Sequence, residues 1–188
     1  MKIYTRKGDD GTTGLLYGGR VRKDAPVIEA NGAVDEAQAA LGAARAELRG
    51  EVLPDGSDLG GLLVDLERDL WVLMAEVATA PDNRRKLEPG RTLVTAEMVA
   101  ALEARIDMLD EAAEMPAEFV VPGQSPLSAR LDVARTVVRR AERLCLGIAV
   151  ESSQVGPYLN RLSDLCWMLA RRTEEDHVAS RGDRRAPG

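Results

Sequence analysis

The chain has 188 residues, enough for one sizeable core. Hydrophobic residues make up 45% and charged residues 30%, a composition typical of soluble globular proteins. A net charge of -6 argues against a nucleic-acid binder driven by phosphate neutralisation, and 3% aromatics argue against a base-stacking surface. Any bound anion must therefore be held by a local cluster of basic residues.

The opening MKIYTRKGDD has no apolar stretch of the kind a signal peptide needs, and no apolar run approaches the roughly 20 residues of a membrane span. Cys145 and Cys166 both fall among apolar neighbours in helical patterns, as buried thiols of a reducing compartment would. The expectation is a cytoplasmic protein without membrane contact. With one histidine, His177, no metal site is expected.

Residues 1–24 form a glycine-rich opening, TRKGDDGTTGLLYGGR and the basic run after it. Helices follow. Asp24 is the expected N-cap and Pro26 suits the first turn of a helix from Ala25 to about Arg49. GEVLPDGSDLGG breaks it. A second helix, about Leu62 to Thr79, carries Leu63, Leu66, Leu70, Leu73 and Val77 at three- and four-residue steps. A Pro-, Gly- and charge-rich loop over 80–91 separates it from a third helix capped by Thr95 and closed before Met115-Pro116. EFVVPGQSP reads as a short extended segment. Helices from about Pro126 to Val150 and Pro157 to Glu175 complete the set, and the tail 176–188 is expected to fray. No strand alternation stands out. The expectation is an all-α, antiparallel five-helix bundle.

Four constellations can carry chemistry. The glycines of the opening let backbone N–H groups converge on an anion, with Thr5, Thr12 and Thr13 adding hydroxyls and Arg6, Lys7, Arg20, Arg22 and Lys23 adding charge. Composition leaves two readings open, a solvated arm or a polyphosphate cradle; it is not a Walker A loop. On the fourth helix, Arg135, Arg139 and Glu142 stand at i, i+4 and i+7, within about 60° of one another. They form either a basic binding stripe or a salt-bridged surface face, and Arg140 and Arg143 suit the surface reading better. Asp35, in AVDEAQAALG, is either a surface carboxylate or a buried one needing an arginine. Phe119, the sole Phe, is either core or part of a site.

Taken together, these stretches resemble the PduO-type ATP:cob(I)alamin adenosyltransferases. That family opens with T-x-T-G-D-x-G-x-T, then G-G-R-V-x-K and a V-D-E helix; the counterparts are TRKGDDGTTG, GGRVRK and AVDEAQAALG. FVVPG, ARTVVRRAER and LNRLSDLCWMLAR match three further motifs in the same order. The resemblance implies a homotrimer with ATP bound between subunits. It implies transfer of the 5′-deoxyadenosyl group of ATP to the cobalt of cob(I)alamin, releasing triphosphate. Because cob(I)alamin is itself the nucleophile, no Ser–His or Cys–His pair is needed.

Carried over residue by residue, the loop of Thr5, Arg6, Lys7, Gly8, Asp9, Asp10, Gly11, Thr12, Thr13 and Gly14 would wrap the triphosphate, with Arg20 and Lys23 supplying charge. Arg139, Arg140, Glu142 and Arg143 would join the ATP site, with Asn160 from the fifth helix. Arg135 would pair with Asp35 across the subunit interface. Phe119 would sit beside the corrin, excluding the lower axial base and favouring four-coordinate cob(II)alamin. A Mg²⁺ ion on the phosphates, a reductase and a cobalamin-dependent acceptor enzyme are implied alongside. The chain departs from the pattern at Lys7, where a threonine is usual. The other reading of the same residues is an ATP-responsive cobalamin-delivery trimer.

Overall fold

The computed structural model describes residue 4 and residues 6–112, 115–116, 118–148, 150 and 152–181. Expectations for Thr5 and for 182–188 fall outside these. Five helices dominate: α1 Pro26–Arg45, α2 Leu59–Val77, α3 Ala96–Ala112, α4 Pro126–Leu146 and α5 Val155–Arg172. α4 lies between α1 and α5, α2 packs on α1, and α3 packs on α5. Among the described residues no helix is long and apolar enough to cross a membrane.

The helices form where apolar residues recur at helical spacing. α1 buries Ala30, Ala33, Val34, Ala37, Leu41 and Ala44, and α4 answers with Leu131, Ala134, Val138, Ala141 and Cys145. The many alanines on both faces let the two helices approach closely. Asp24 does not cap α1: the cap position is Ala25, with no side-chain bond, and Asp24 instead takes a two-pronged ion pair from Arg22 at 2.8 and 2.6 Å. α2 starts three residues before its expected position because Asp58 accepts the Gly61 N–H at 2.7 Å. Thr95 does cap α3, its hydroxyl accepting the Met98 N–H at 3.3 Å. α4 begins with a reciprocal Ser125–Ser128 box and Pro126 in its first turn.

Two features differ from the expected all-helical picture. First, part of the opening is an antiparallel hairpin, β1 Thr12–Gly14 with β2 Arg20–Arg22, in the register Thr12–Arg22, Thr13–Val21, Gly14–Arg20. Its turn requires glycine, since Gly18 and Gly19 sit at φ +105° and +95°. The loop is pinned to the bundle: the Leu16 N–H donates to the Ala78 carbonyl at 2.8 Å at the end of α2, and the Tyr17 hydroxyl lies 3.4 Å from that of Thr92. Second, part of the expected frayed tail is paired. The Val121 N–H donates to the Val178 carbonyl at 2.8 Å and the Ser180 N–H to the Phe119 carbonyl at 2.7 Å.

Candidate functional site

The candidate residues stand on two sets of elements. The first is the hairpin loop. Arg20 organises it, donating from Nη2 to the Lys7 carbonyl at 2.7 Å and from Nε to the Thr12 hydroxyl at 3.0 Å. Asp10 accepts the Thr12 N–H at 2.9 Å and its hydroxyl at 2.8 Å, and these bonds, with Arg20 3.6 Å away, hold its carboxyl below the usual range. Gly11 turns the chain at φ +78°, and its carbonyl accepts the Lys23 N–H at 2.9 Å. The Lys23 ammonium lies over Gly8 so closely that a Cβ there would sit 3.1 Å from Nζ. The loop is thus a shaped structure carrying exposed cations, Arg6, Lys7, Arg20 and Lys23.

The second group lies on α4 and α5. The Asn160 amide donates to Glu142 Oε1 at 3.1 Å, and Asn160 Oδ1 accepts from Arg161 Nη1 at 2.6 Å. Arg161 also donates to Glu103 at 2.9 Å. Arg139 is exposed, its carbonyl accepting from Arg143 Nη1 at 3.0 Å, and Arg140 pairs with Glu36. Sequence reasoning passed over Arg161 and Asp164. Both were within reach, because they stand one residue and one turn from Asn160 in LNRLSD. Burial pushes the Asp164 carboxyl up, against the opposing pull of Arg161 and Arg139.

Arg135 donates from Nε to Asp132 Oδ1 at 3.1 Å, so its ion-pair partner within the chain is Asp132. Asp35 stands exposed on α1. Phe119 is not core: it is 84% exposed and borders a cleft of about 380 Å³ shared with Pro116, Glu118, Trp167, Ser180 and Arg181. Among the described residues no hydrogen bond or ion pair joins segment 6–23 to α4.

Residues 3–173 match the profile of the cobalamin adenosyltransferase family. The chain belongs to that family. It is 36% identical over 179 residues to corrinoid adenosyltransferase PduO of Salmonella typhimurium, covering 94% of this chain and 51% of that one. The chain spans about half the length of that relative and of the PduO protein of Citrobacter freundii. It covers nearly all of others: a corrinoid adenosyltransferase of Mycobacterium bovis is 41% identical, with 93% of this chain and 90% of the relative aligned. The fold agrees with a variant of the PduO-type ATP:corrinoid adenosyltransferase of Lactobacillus reuteri complexed with cobalamin and ATP. That match has a TM-score of 0.82 and 26% identity, covering 96% of this chain and 100% of the other. Another variant of the same enzyme, complexed with ATP, matches with a TM-score of 0.80.

Proposed function

We propose that this chain transfers the 5′-deoxyadenosyl group of ATP to the cobalt of cob(I)alamin, yielding adenosylcobalamin and inorganic triphosphate. The observation that carries this reading is the fold shared across nearly the whole chain with an enzyme complexed with cobalamin and ATP. In this reading the chain works as a homotrimer in which the loop of one copy faces α4 of the next. In that arrangement the triphosphate lies against the backbone N–H groups of residues 6–14, Arg20 and Lys23. Arg139, Arg140 and Arg143 approach it from the neighbouring copy, with the Glu142–Asn160 pair orienting the nucleoside.

The cobalt lone pair attacks C5′ of ATP. The C5′–O bond breaks and its electron pair leaves with the triphosphate, while cobalt passes from Co(I) to Co(III). Negative charge grows on the departing oxygen, and fixed cations and N–H groups around it lower the barrier. Among the described residues no group of three His, Cys, Asp or Glu side chains is placed to hold a metal. A Mg²⁺ ion would therefore be carried mainly by phosphate oxygens, which suits its reluctance to shed water. Asp35 and Arg135 meet across two copies in this reading, with Asp132 holding Arg135 in place beforehand. Phe119 faces the corrin from its exposed position at the cleft. The two buried thiols suit a reducing cytoplasm. There a reductase must supply the cob(I) state and a cobalamin-dependent enzyme must take the product.

The test is direct. Purified protein given ATP, Mg²⁺ and chemically reduced cobalamin without oxygen is expected to develop the absorption of adenosylcobalamin. No spectral change under those conditions contradicts the reading.

A further inference from the structure

Arg171 stands where three segments meet. It closes α5, yet only 3% of it is exposed. Its Nη2 donates to Asp132 Oδ2 on α4 at 2.6 Å and to Glu174 Oε1, beyond the helix, at 3.0 Å. Its Nε lies 3.0 Å from Glu174 Oε2 without the alignment of a hydrogen bond. The Glu174 side chain is fully buried and also meets His177 Nδ1 at 3.0 Å, while Asp132 is shared with Arg135. The guanidinium sits 6.0 Å from the ring centre of Trp167. Burying this many charges costs free energy that apolar packing would not, so the network is better explained by what it holds in register than by stability.

What it holds is one wall of the Phe119 cleft. From Glu174 and His177 the chain runs directly into 178–180, which pairs with 119–121 through the Val121–Val178 and Ser180–Phe119 hydrogen bonds. Trp167, Phe119, Ser180 and Arg181 then line the same cleft. The one guanidinium therefore stands 6.0 Å from the ring centre on one side of the cleft and ties down the segment that forms another.

We propose that Arg171, acting through Glu174, is a positioning residue for the cobalamin cleft. It latches 174–181 onto α4 and α5, so that this segment backs Phe119 and fixes the cleft's width. The proposal rests on the reading of that cleft as the cobalamin site. Lysine keeps the charge at 171 but cannot bridge two carboxylates with a planar fork, so Arg171→Lys should loosen the latch without leaving an unpaired buried anion.

The experiment compares the full-length chain with Arg171→Lys and Ser180→Pro, the latter removing the N–H that donates to Phe119 from an exposed position. Amide hydrogen exchange at Val121 should rise about tenfold in both variants. KM for cobalamin should rise about tenfold while KM for ATP stays within about twofold, a split that a general loss of structure would not produce. Unchanged exchange at Val121, or equal shifts in both KM values, overturns the proposal. If Arg171→Lys does not fold, Ser180→Pro decides by the same two readouts. If the unmodified protein makes no adenosylcobalamin, the proposed function fails, and Val121 exchange still decides whether the latch exists.

Discussion

The side-chain amide of Asn160 on α5 donates to Glu142 on α4 at 3.1 Å, and the Asn160 carbonyl oxygen is taken by Arg161 at 2.6 Å. Asn160 is thus one polar joint between the arginine-bearing helix and the last helix of the bundle. Replacing it with alanine releases both Glu142 and Arg161 while leaving the apolar face of α5 intact. Asn160→Ala is expected to lower kcat/KM about 10²-fold, with the melting temperature nearly unchanged. Near-normal kcat/KM would remove the joint from the site.

Arg139 is exposed on α4, and its charge pulls on the Asp164 carboxyl of α5. Arg139→Ala is expected to cut turnover by about 10²-fold or more, as losing one preorganised stabiliser of developing negative charge does. Steady-state rates at saturating ATP and cobalamin check this.

Gly8 stands where space is tight rather than where backbone freedom is required. A methyl group there would lie 3.1 Å from the Lys23 ammonium and 3.2 Å from the Thr12 carbonyl. Gly8→Ala should push Lys23 off its position and raise KM for ATP about tenfold, with kcat less affected. Isothermal titration with a non-hydrolysable ATP analogue should show the same loss of affinity.

Half-buried Asp69 and buried Tyr158, joined by a 2.8 Å hydrogen bond, make a pH prediction. Burial raises the Asp69 carboxyl above its ordinary 3.8, and burial together with Asp69 raises the Tyr158 hydroxyl well above 10.0. In both cases the folded state holds the proton more firmly than the unfolded chain. The Asp69 contribution to stability is complete below 3.8 and is lost as pH rises through the folded value. Asp69→Asn keeps an acceptor for Tyr158 and does not ionise. Denaturant titrations should therefore show the variant gaining on the unmodified protein as pH rises from about 3 to about 7. The same sign at Tyr158 predicts stability falling as pH rises above 10.0. A variant that instead loses ground as the acid range is crossed contradicts this account.

Burial pushes the thiols of both Cys145 and Cys166 up to about 12. Neither should react with a disulfide reagent at about pH 8 in the native protein, and both should react once it is unfolded. Fast labelling of the folded chain would mean that one of them is reachable.

Much of the fold was legible because five stretches repeat apolar residues at helical steps, and that period survives inspection of sequence alone. The Leu63–Leu66–Leu70–Leu73 stripe is an example, and all four residues are buried. The hairpin was not legible. Its strands are three residues long, too short for alternation to register, and its turn depends on Gly18, Gly19 and a docking bond to Ala78 that lies far along the chain. The start of α2 was displaced because Asp58 caps it ahead of two glycines that suggest a loop. In the candidate site, motif order named the residues to look at, but their partners were not legible. Asp132 and Glu174 sit in plain helical or terminal sequence, and only folding brings both carboxylates to the Arg171 guanidinium. Arg135 shows the same limit, since a residue three positions away satisfies it within the chain.

The central claim is that the chain moves an adenosyl group rather than hydrolysing or merely holding ATP. The measurement that tests it most directly is the product balance in one anaerobic incubation with ATP and cob(I)alamin. The account predicts one inorganic triphosphate released for each adenosylcobalamin formed. Release of orthophosphate or diphosphate without a cobalt–carbon bond, or binding of both substrates with neither product, would contradict it.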